Sequence, residues 1–214
     1  MSSSSVVIDT AVPRTVLKIP VPRAARACEP GRMTKDWQNE DWENRVAAAW
    51  AAFDAPGDGG QDAAAFRAVI DALAAEAPPD SPLGPFERAC AWDSTGHPDR
   101  AVALYREALA GGLAEVSGYK ARRARIQLAS SLRNLGRPEE GVALLTPELD
   151  APSDELDDAV RAVLALCLSS LGRDREGLSL VLGALAAHLP RYQRSMANYA
   201  RALVEPEEPP SAVR

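Results

Sequence analysis

A short glycine-containing motif recurs three times between residues 95 and 177 and limits the possible folds more than any other feature. Its copies are 95–101 (TGHPDRA), 135–141 (LGRPEEG) and 171–177 (LGRDREG). The three glycines lie 40 and 36 residues apart, a spacing within the range of helical repeats. Glycine ends a helix in the left-handed conformation, and proline or acidic residues favour the start of the next helix. The motif therefore predicts a two-helix unit that is repeated in tandem.

Equivalent positions of the copies carry similar residues. In the second helices a small residue recurs, at Ala65, Ala101, Gly141 and Gly177. A leucine follows eight residues later in each copy, at Leu73, Leu109, Leu149 and Leu185. In the first helices an alanine recurs, at Ala89, Ala129 and Ala165. Small residues allow two helices to approach closely. We therefore expect the small residues at helix crossings and the four leucines at one depth in the core.

Apolar residues recur at helical spacing from residue 36 onward, and no alternating strand pattern interrupts them. The spacing predicts an all-α fold with about four antiparallel helix pairs and a C-terminal capping helix. The predicted helices span 36–53, 61–77, 85–95, 98–110, 117–135, 138–149, 153–171, 173–188 and 191–204.

The two ends of the chain differ in composition from this helical region. Residues 1–35 combine four serines, scattered prolines and an excess of Arg and Lys over acids, which predicts a disordered basic leader. Because the composition changes abruptly near Met33, an alternative is that translation begins there. Residues 205–214 contain the run PEEPP and predict a disordered tail. The repeat domain would then span 36–204.

Composition and charge exclude several classes of function. A formal net charge of −6 over 214 residues argues against nucleic acid as a partner. No run of about 18 apolar residues could cross a membrane, and the N-terminus lacks the apolar core of a secretory signal. Three widely spaced cysteines do not form a disulfide framework, so we expect a cytoplasmic protein with Cys90 and Cys167 as small core residues.

The sequence contains little that could carry catalysis. It has two histidines, and neither a phosphate-binding loop nor a nucleophile elbow is present. We therefore expect no enzymatic activity, no cofactor and no metal site.

The repeated pattern resembles the tetratricopeptide repeat, in which large and small residues occupy fixed places of a helix pair. One copy has Leu128, Ala129, Leu132, Gly141 and Leu145 at those places. The next has Leu164, Ala165, Leu168, Gly177, Val181 and Ala184, and the one before has Ala89, Trp92, Ala101, Tyr105 and Ala108.

The copies are longer than the usual repeat, and Glu148 replaces an expected small residue. The sequence is therefore similar to a divergent branch, the bacterial tetratrico peptide repeat group 5 domain. The resemblance covers about 36–204 and implies a right-handed superhelical solenoid.

The resemblance also implies a function and a site. Tetratricopeptide stacks bind an extended peptide or a protein partner on a concave surface lined by the first helix of each pair. The lining here would consist of Asp93, Arg123, Gln127, Ser130, Arg133, Asn134 and Ser170. The chain would then be a non-catalytic scaffold or adaptor. Rival interpretations are a regulatory or signalling module that acts with a separately encoded output domain, and an enzyme with an unrecognised site.

One predicted helix carries five cations and no acid: Lys120, Arg122, Arg123, Arg125 and Arg133. Because guanidinium groups suit carboxylates, one hypothesis is that an acidic partner segment is held near Arg123 and Arg133. The alternative is a solvated basic face that pairs with neighbouring acids such as Glu115 and Glu139.

The segment 162–168 is apolar on all sides, which predicts a helix that is buried on both faces. We expect either the capping helix or a second subunit of a homodimer to cover Ala162 and Leu166.

Overall fold

The computed structural model describes residues 33–55 and 62–205, and within them it contains helices and turns but no strand. The helices are α1 (Met33–Phe53), α2 (Ala63–Glu76), α3 (Leu83–Ser94), α4 (Pro98–Ala110), α5 (Leu113–Val116), α6 (Gly118–Asn134), α7 (Pro138–Leu145), α8 (Asp157–Ser170), α9 (Asp174–His188) and α10 (Gln193–Ala202). The predicted leader up to residue 32 and the tail from residue 206 lie outside the described residues. Helix α1 begins at Met33, slightly before the predicted start.

The helices pack in consecutive pairs, which confirms the all-α repeat predicted from the sequence. The pairs are α1 with α2, α3 with α4, α6 with α7, and α8 with α9. The second helix of each pair also packs against the first helix of the next, so the pairs form one continuous stack. The short helix α5 lies between the second and third pairs, and α10 packs against α9.

The three recurring glycines end their helices as the sequence predicts. Gly96, Gly136 and Gly172 have φ angles of 83°, 74° and 73°, the left-handed region that favours glycine. At each joint two backbone bonds close the helix end in the same way. At Gly136, for example, the Arg137 N–H donates to the Leu132 carbonyl at 2.9 Å and the Gly136 N–H donates to the Arg133 carbonyl at 3.0 Å.

Small residues lie where the helices of one pair cross. Ala89, Ala129 and Ala165 are all buried, as are Ala101, Gly141 and Gly177 opposite them. A Cβ on Gly177 would lie 2.9 Å from the Ala165 carbonyl oxygen. A Cβ on Gly141 would lie 2.7 Å from the Cys167 sulfur and 3.2 Å from the Ala129 carbonyl oxygen. The close approach predicted at these crossings is therefore confirmed for the third and fourth pairs, and in the second pair both alanines are fully buried.

The first pair does not follow the predicted alignment. Ala65 is exposed, whereas Phe66, Ile70 and Leu73 are buried. The alignment of α2 with the other second helices is therefore shifted by one residue from the prediction. Phe66, not Ala65, occupies the position equivalent to Ala101. The Asp62 carboxylate, which accepts a hydrogen bond from the Ala64 N–H, caps the start of α2.

The prediction that four equivalent leucines share one depth is wrong. Leu73 is buried and Leu109 half-buried, but Leu149 is 37% and Leu185 44% exposed. Pro147 lacks a backbone N–H, so α7 ends at Leu145 and Leu149 falls in a 3-10 turn, Thr146–Leu149. Leu185 is exposed because it lies in the last pair of the stack, which no further pair covers.

The capping helix packs differently from the expectation. Helix α10 is fixed to α9, where the Ser179 hydroxyl donates to the Ala200 carbonyl at 2.7 Å and Arg175 Nε donates to the Leu203 carbonyl at 3.2 Å. It leaves Leu166 about half exposed. The prediction that the capping helix covers this residue is therefore wrong.

We predict opposite effects for two glycine-to-alanine substitutions in helices. Gly141→Ala places a methyl group against the Cys167 sulfur and lowers the free energy of unfolding by about 1–3 kcal/mol. Gly183→Ala, where a Cβ has no neighbour within 4 Å, raises it by about 0.5–1 kcal/mol through helix propensity. Urea unfolding measures both values, and equal effects of the two substitutions contradict the close-packing argument.

Candidate functional site

The seven residues predicted to line a binding surface lie on the first helices α3, α6 and α8, but their surroundings differ. Asp93, Gln127 and Arg123 are partly buried between α3 and α6. Arg133, Asn134 and Ser170 lie together at the C-terminal ends of α6 and α8. Ser130 lies between the two groups on α6 and is partly buried.

Asp93 is engaged in bonds within the stack. Its Oδ1 accepts a hydrogen bond from the buried Ser131 hydroxyl at 2.8 Å, and its Oδ2 accepts one from the Tyr105 hydroxyl at 3.4 Å. Burial raises the pKa of the Asp93 carboxyl, and the two hydrogen bonds offset part of that shift. The residue therefore ties α3 to α4 and α6.

Gln127 makes a similar contact between helices. Its Oε1 accepts a hydrogen bond from the Cys90 thiol at 3.5 Å. Cys90 is buried, which confirms its predicted place in the core, and burial raises the pKa of its thiol to about 12. Because the thiolate is the nucleophilic form, Cys90 is not a reactive group at neutral pH.

Three of the five cations of α6 pair with acids. Lys120 lies 3.0 Å from Glu43 and 3.4 Å from Glu87, and Arg125 lies 3.4 Å from Glu148. These acids differ from Glu115 and Glu139, the partners named from the sequence.

The third, Arg122, is buried and forms the largest ion-pair cluster described in the structure. Its guanidinium contacts Asp154, lies 2.9 Å from Asp157 and 3.3 Å from Glu148, and donates to the Glu148 carbonyl at 3.1 Å. All three acids belong to the connection between α7 and α8 or the first turn of α8. Arg122 therefore fastens the third helix pair to the fourth.

Arg123 and Arg133 form no ion pair with any residue that the structure describes. The Arg123 guanidinium lies over the Phe86 ring, 5.6 Å from its centroid. Arg133 Nε donates to the Ser170 hydroxyl at 2.9 Å and to the Leu166 carbonyl at 3.1 Å, and Asn134 Oδ1 lies 3.5 Å from its Nη1. The contacts described for both cations are thus to neutral groups, and neither forms a direct ion pair among the described residues.

An apolar groove beside these residues was not predicted as a site. It lies between α8 and α9, has a volume of about 380 Å³ and is lined mainly by Ala162, Ala165, Leu166, Gly177, Leu178 and Val181. The sequence showed that α8 is apolar on all sides. The groove remains open because α10 packs against α9 and leaves Leu166 exposed, which the sequence alone does not show.

Within residues 33–55 and 62–205, no three side chains of His, Cys, Asp or Glu converge as metal ligands. Nor does any helix in these ranges combine the length and the apolar character that a bilayer crossing requires.

The paired helices, the glycine joints and the small residues at the crossings define a helical-repeat protein. A family model described as tetratrico peptide repeat matches residues 82–203, which is more than half of the chain. The chain therefore belongs to the tetratricopeptide repeat family, whose members generally act as protein-interaction modules without catalysis. The match covers α3 to α10 and leaves α1 and α2 outside it. No curated protein and no solved structure shows significant similarity to the chain.

We predict that Arg122→Met lowers the free energy of unfolding at pH 7 by about 3 kcal/mol, because it leaves three clustered carboxylates without their cation. Arg45→Met, which removes exposed pairs with Asp41 and Glu76, is the control and should have a much smaller effect, because exposed ion pairs contribute little to stability. Denaturant unfolding measures both.

The same cluster makes stability depend on pH. Hydrogen bonds from Ser153 and Arg122 hold the pKa of the Asp157 carboxyl below its ordinary value. Stability from a lowered carboxyl pKa is present above the unfolded pKa and is lost as the pH falls through the folded one. The difference between wild type and Arg122→Met should therefore shrink between about pH 5 and pH 2. A difference that is constant over this range contradicts the assignment.

Asp93 is predicted to have the opposite dependence on pH. Because burial raises its folded pKa, ionised Asp93 costs stability as the pH rises. Asp93→Asn should gain stability relative to wild type between pH 4 and pH 7. Asp93→Ala should lose about 1–3 kcal/mol, because the buried Ser131 hydroxyl has lost its acceptor. Thermal and urea unfolding at both pH values test this. The assignment is contradicted if the free energy of unfolding of Asp93→Asn decreases relative to wild type as the pH rises.

Proposed function

We propose that the chain is a non-catalytic scaffold or adaptor that binds a peptide or protein partner on the face formed by its first helices α3, α6 and α8. The observation that supports this proposal most directly is the pair of charged groups Arg123 and Arg133. They retain their charge in a chain whose formal net charge is −6, while the neighbouring cations of α6 are neutralised. Such groups attract carboxylates and recognise them through two parallel hydrogen bonds.

The spacing of the two arginines specifies the partner further. Ten residues of helix separate them, a rise of about 15 Å. An extended peptide covers that distance in about four or five residues. The partner is therefore an acidic segment whose two carboxylates stand about that far apart. Gln127 and Ser130 lie between the arginines and offer neutral hydrogen-bonding groups to the peptide backbone.

Arg133 is better organised for binding than an ordinary surface arginine. Its bonds to Ser170 and to the Leu166 carbonyl fix the guanidinium before a partner arrives. A side chain that is already ordered loses less conformational entropy on binding. Ser170 and Asn134 thus act as positioning residues for Arg133.

We also propose that the protein acts in a reducing compartment, the cytoplasm. Cys90 and Cys167 are buried free thiols, and both pKa values are raised, which suits a chain that does not rely on disulfides.

A peptide-display selection on the full chain tests the binding proposal. The probe is a library of random 12-residue peptides, and the selected peptides should be enriched in Asp and Glu four or five positions apart. For a selected peptide, Arg123→Glu or Arg133→Glu should weaken binding at least tenfold. The affinity should also fall with added salt.

Arg106→Glu is the matched control, because Arg106 lies on the second helix α4 and pairs with Glu140 at 2.8 Å. It should change the affinity less than twofold while altering the net charge equally. The proposal fails if selected peptides lack acidic enrichment, or if their binding is the same for wild type and both α6 variants.

A further inference from the structure

The last helix pair exposes a surface that is buried in the preceding pairs. At the position of Tyr105 and Leu145, both fully buried, the last pair has Val181, which is 41% exposed. At the position of buried Cys90 it has Leu166, which is 48% exposed. The open groove between α8 and α9 is therefore the stacking surface of a repeat without a following pair.

The glycines at the crossings show what normally fills this surface. Beside Gly141 the sulfur of Cys167, from the first helix of the next pair, occupies the space. Beside the equivalent Gly177 the nearest atoms all belong to Ala165, in its own pair. Helix α10 does not take the place of a next first helix: it packs against α9 without substantial contact to α8, whereas α8 itself packs against both helices of the preceding pair.

Exposed large hydrophobic residues are concentrated at this end of the stack. Among the described residues they include, in the last pair, the capping helix and the residues that flank it, Leu166, Leu178, Val181, Leu185, Tyr192, Tyr199 and Val204. A terminal repeat of a stable stack normally has a polar outer face. A concentrated apolar surface of this kind marks an interface.

We propose that the α8–α9 face is the interface of a two-fold symmetric dimer of this chain. The inference goes beyond peptide binding and does not depend on it. In the dimer, Leu166 of each copy enters the groove of small residues, Ala162, Ala165 and Gly177, of the other. The projecting side chain and the groove that receives it belong to the same surface, as a two-fold interface requires.

The charges around the groove favour a second copy as the occupant. Asp174, the first residue of α9, lies near the C-terminal end of α8, where it accepts a hydrogen bond from Ser169 but pairs with no cation among the described residues. Arg161 lies one residue before Ala162 toward the other end, where it forms an exposed pair with Asp158 at 3.1 Å that contributes little and can be exchanged. A two-fold axis through the middle of the groove runs the two α8 helices antiparallel. That arrangement brings Asp174 of each copy toward Arg161 of the other, so opposite charges meet twice.

Light scattering and sedimentation of the full chain test the proposal. Wild type should have twice the mass of one chain at about 100 µM. Leu166→Glu should raise the dimer dissociation constant at least tenfold, because it places a carboxylate in the apolar contact. Val116→Glu, at an equally exposed aliphatic residue of α5, is the control and should leave the mass unchanged.

A second variant keeps the test decisive if Leu166→Glu misfolds by circular dichroism. Leu166→Cys in a Cys28→Ser background should form a disulfide-linked dimer under mild oxidation, whereas Val116→Cys should not. The proposal is overturned by a monomeric wild type at this concentration, by a dimer that Leu166→Glu leaves intact, or by equal cross-linking at both positions. If wild type is monomeric but still binds the selected acidic peptides, the dimer proposal fails and the peptide-binding proposal stands.

Discussion

The close approach of the two helices within the third and fourth pairs is the constraint on which the rest of the structure depends. At Gly141 and Gly177 there is no room for a side chain, because the facing helix places an alanine backbone against each glycine. A fixed crossing of this kind aligns the larger residues on either side, such as Leu132 and Leu145, so that they are buried when the next pair packs against them. The stack then grows by repeating one local geometry.

Polar contacts between pairs add to this apolar packing and use up much of the charge on α6. Arg122 joins the third pair to the acids at the start of the fourth, and Asp93 joins α3 to α4 and α6. These bonds explain why a basic stretch can lie in the middle of an acidic protein without forming one basic surface. Of the five cations of α6, only Arg123 and Arg133 form no ion pair with a described residue.

The two ends of the stack are completed in different ways. Trp42 of α1 is buried and donates to the Leu73 carbonyl at 2.7 Å, so α1 covers the aromatic residues of α2 and α3. At the other end α10 turns aside onto α9 and leaves the last groove open. The partner face that we propose on α3, α6 and α8 and the dimer groove that we propose between α8 and α9 are therefore adjacent surfaces that meet at α8.

The sequence by itself determined the helical repeat, because the residues that indicate a repeat act within one helix or one joint. A glycine that must adopt a positive φ, as at Gly136, and an alanine or glycine at the crossings of the last three pairs can be recognised without knowing the packing. The sequence could not determine which cations of α6 are neutralised, since Glu43 and Asp157 are distant along the chain and only packing brings them to Lys120 and Arg122. Nor could it determine the exposure of Leu166, Leu149 or Leu185. Leu149 is exposed because Pro147 ends α7 early, and Leu166 and Leu185 are exposed because α10 does not cover them as a following pair would.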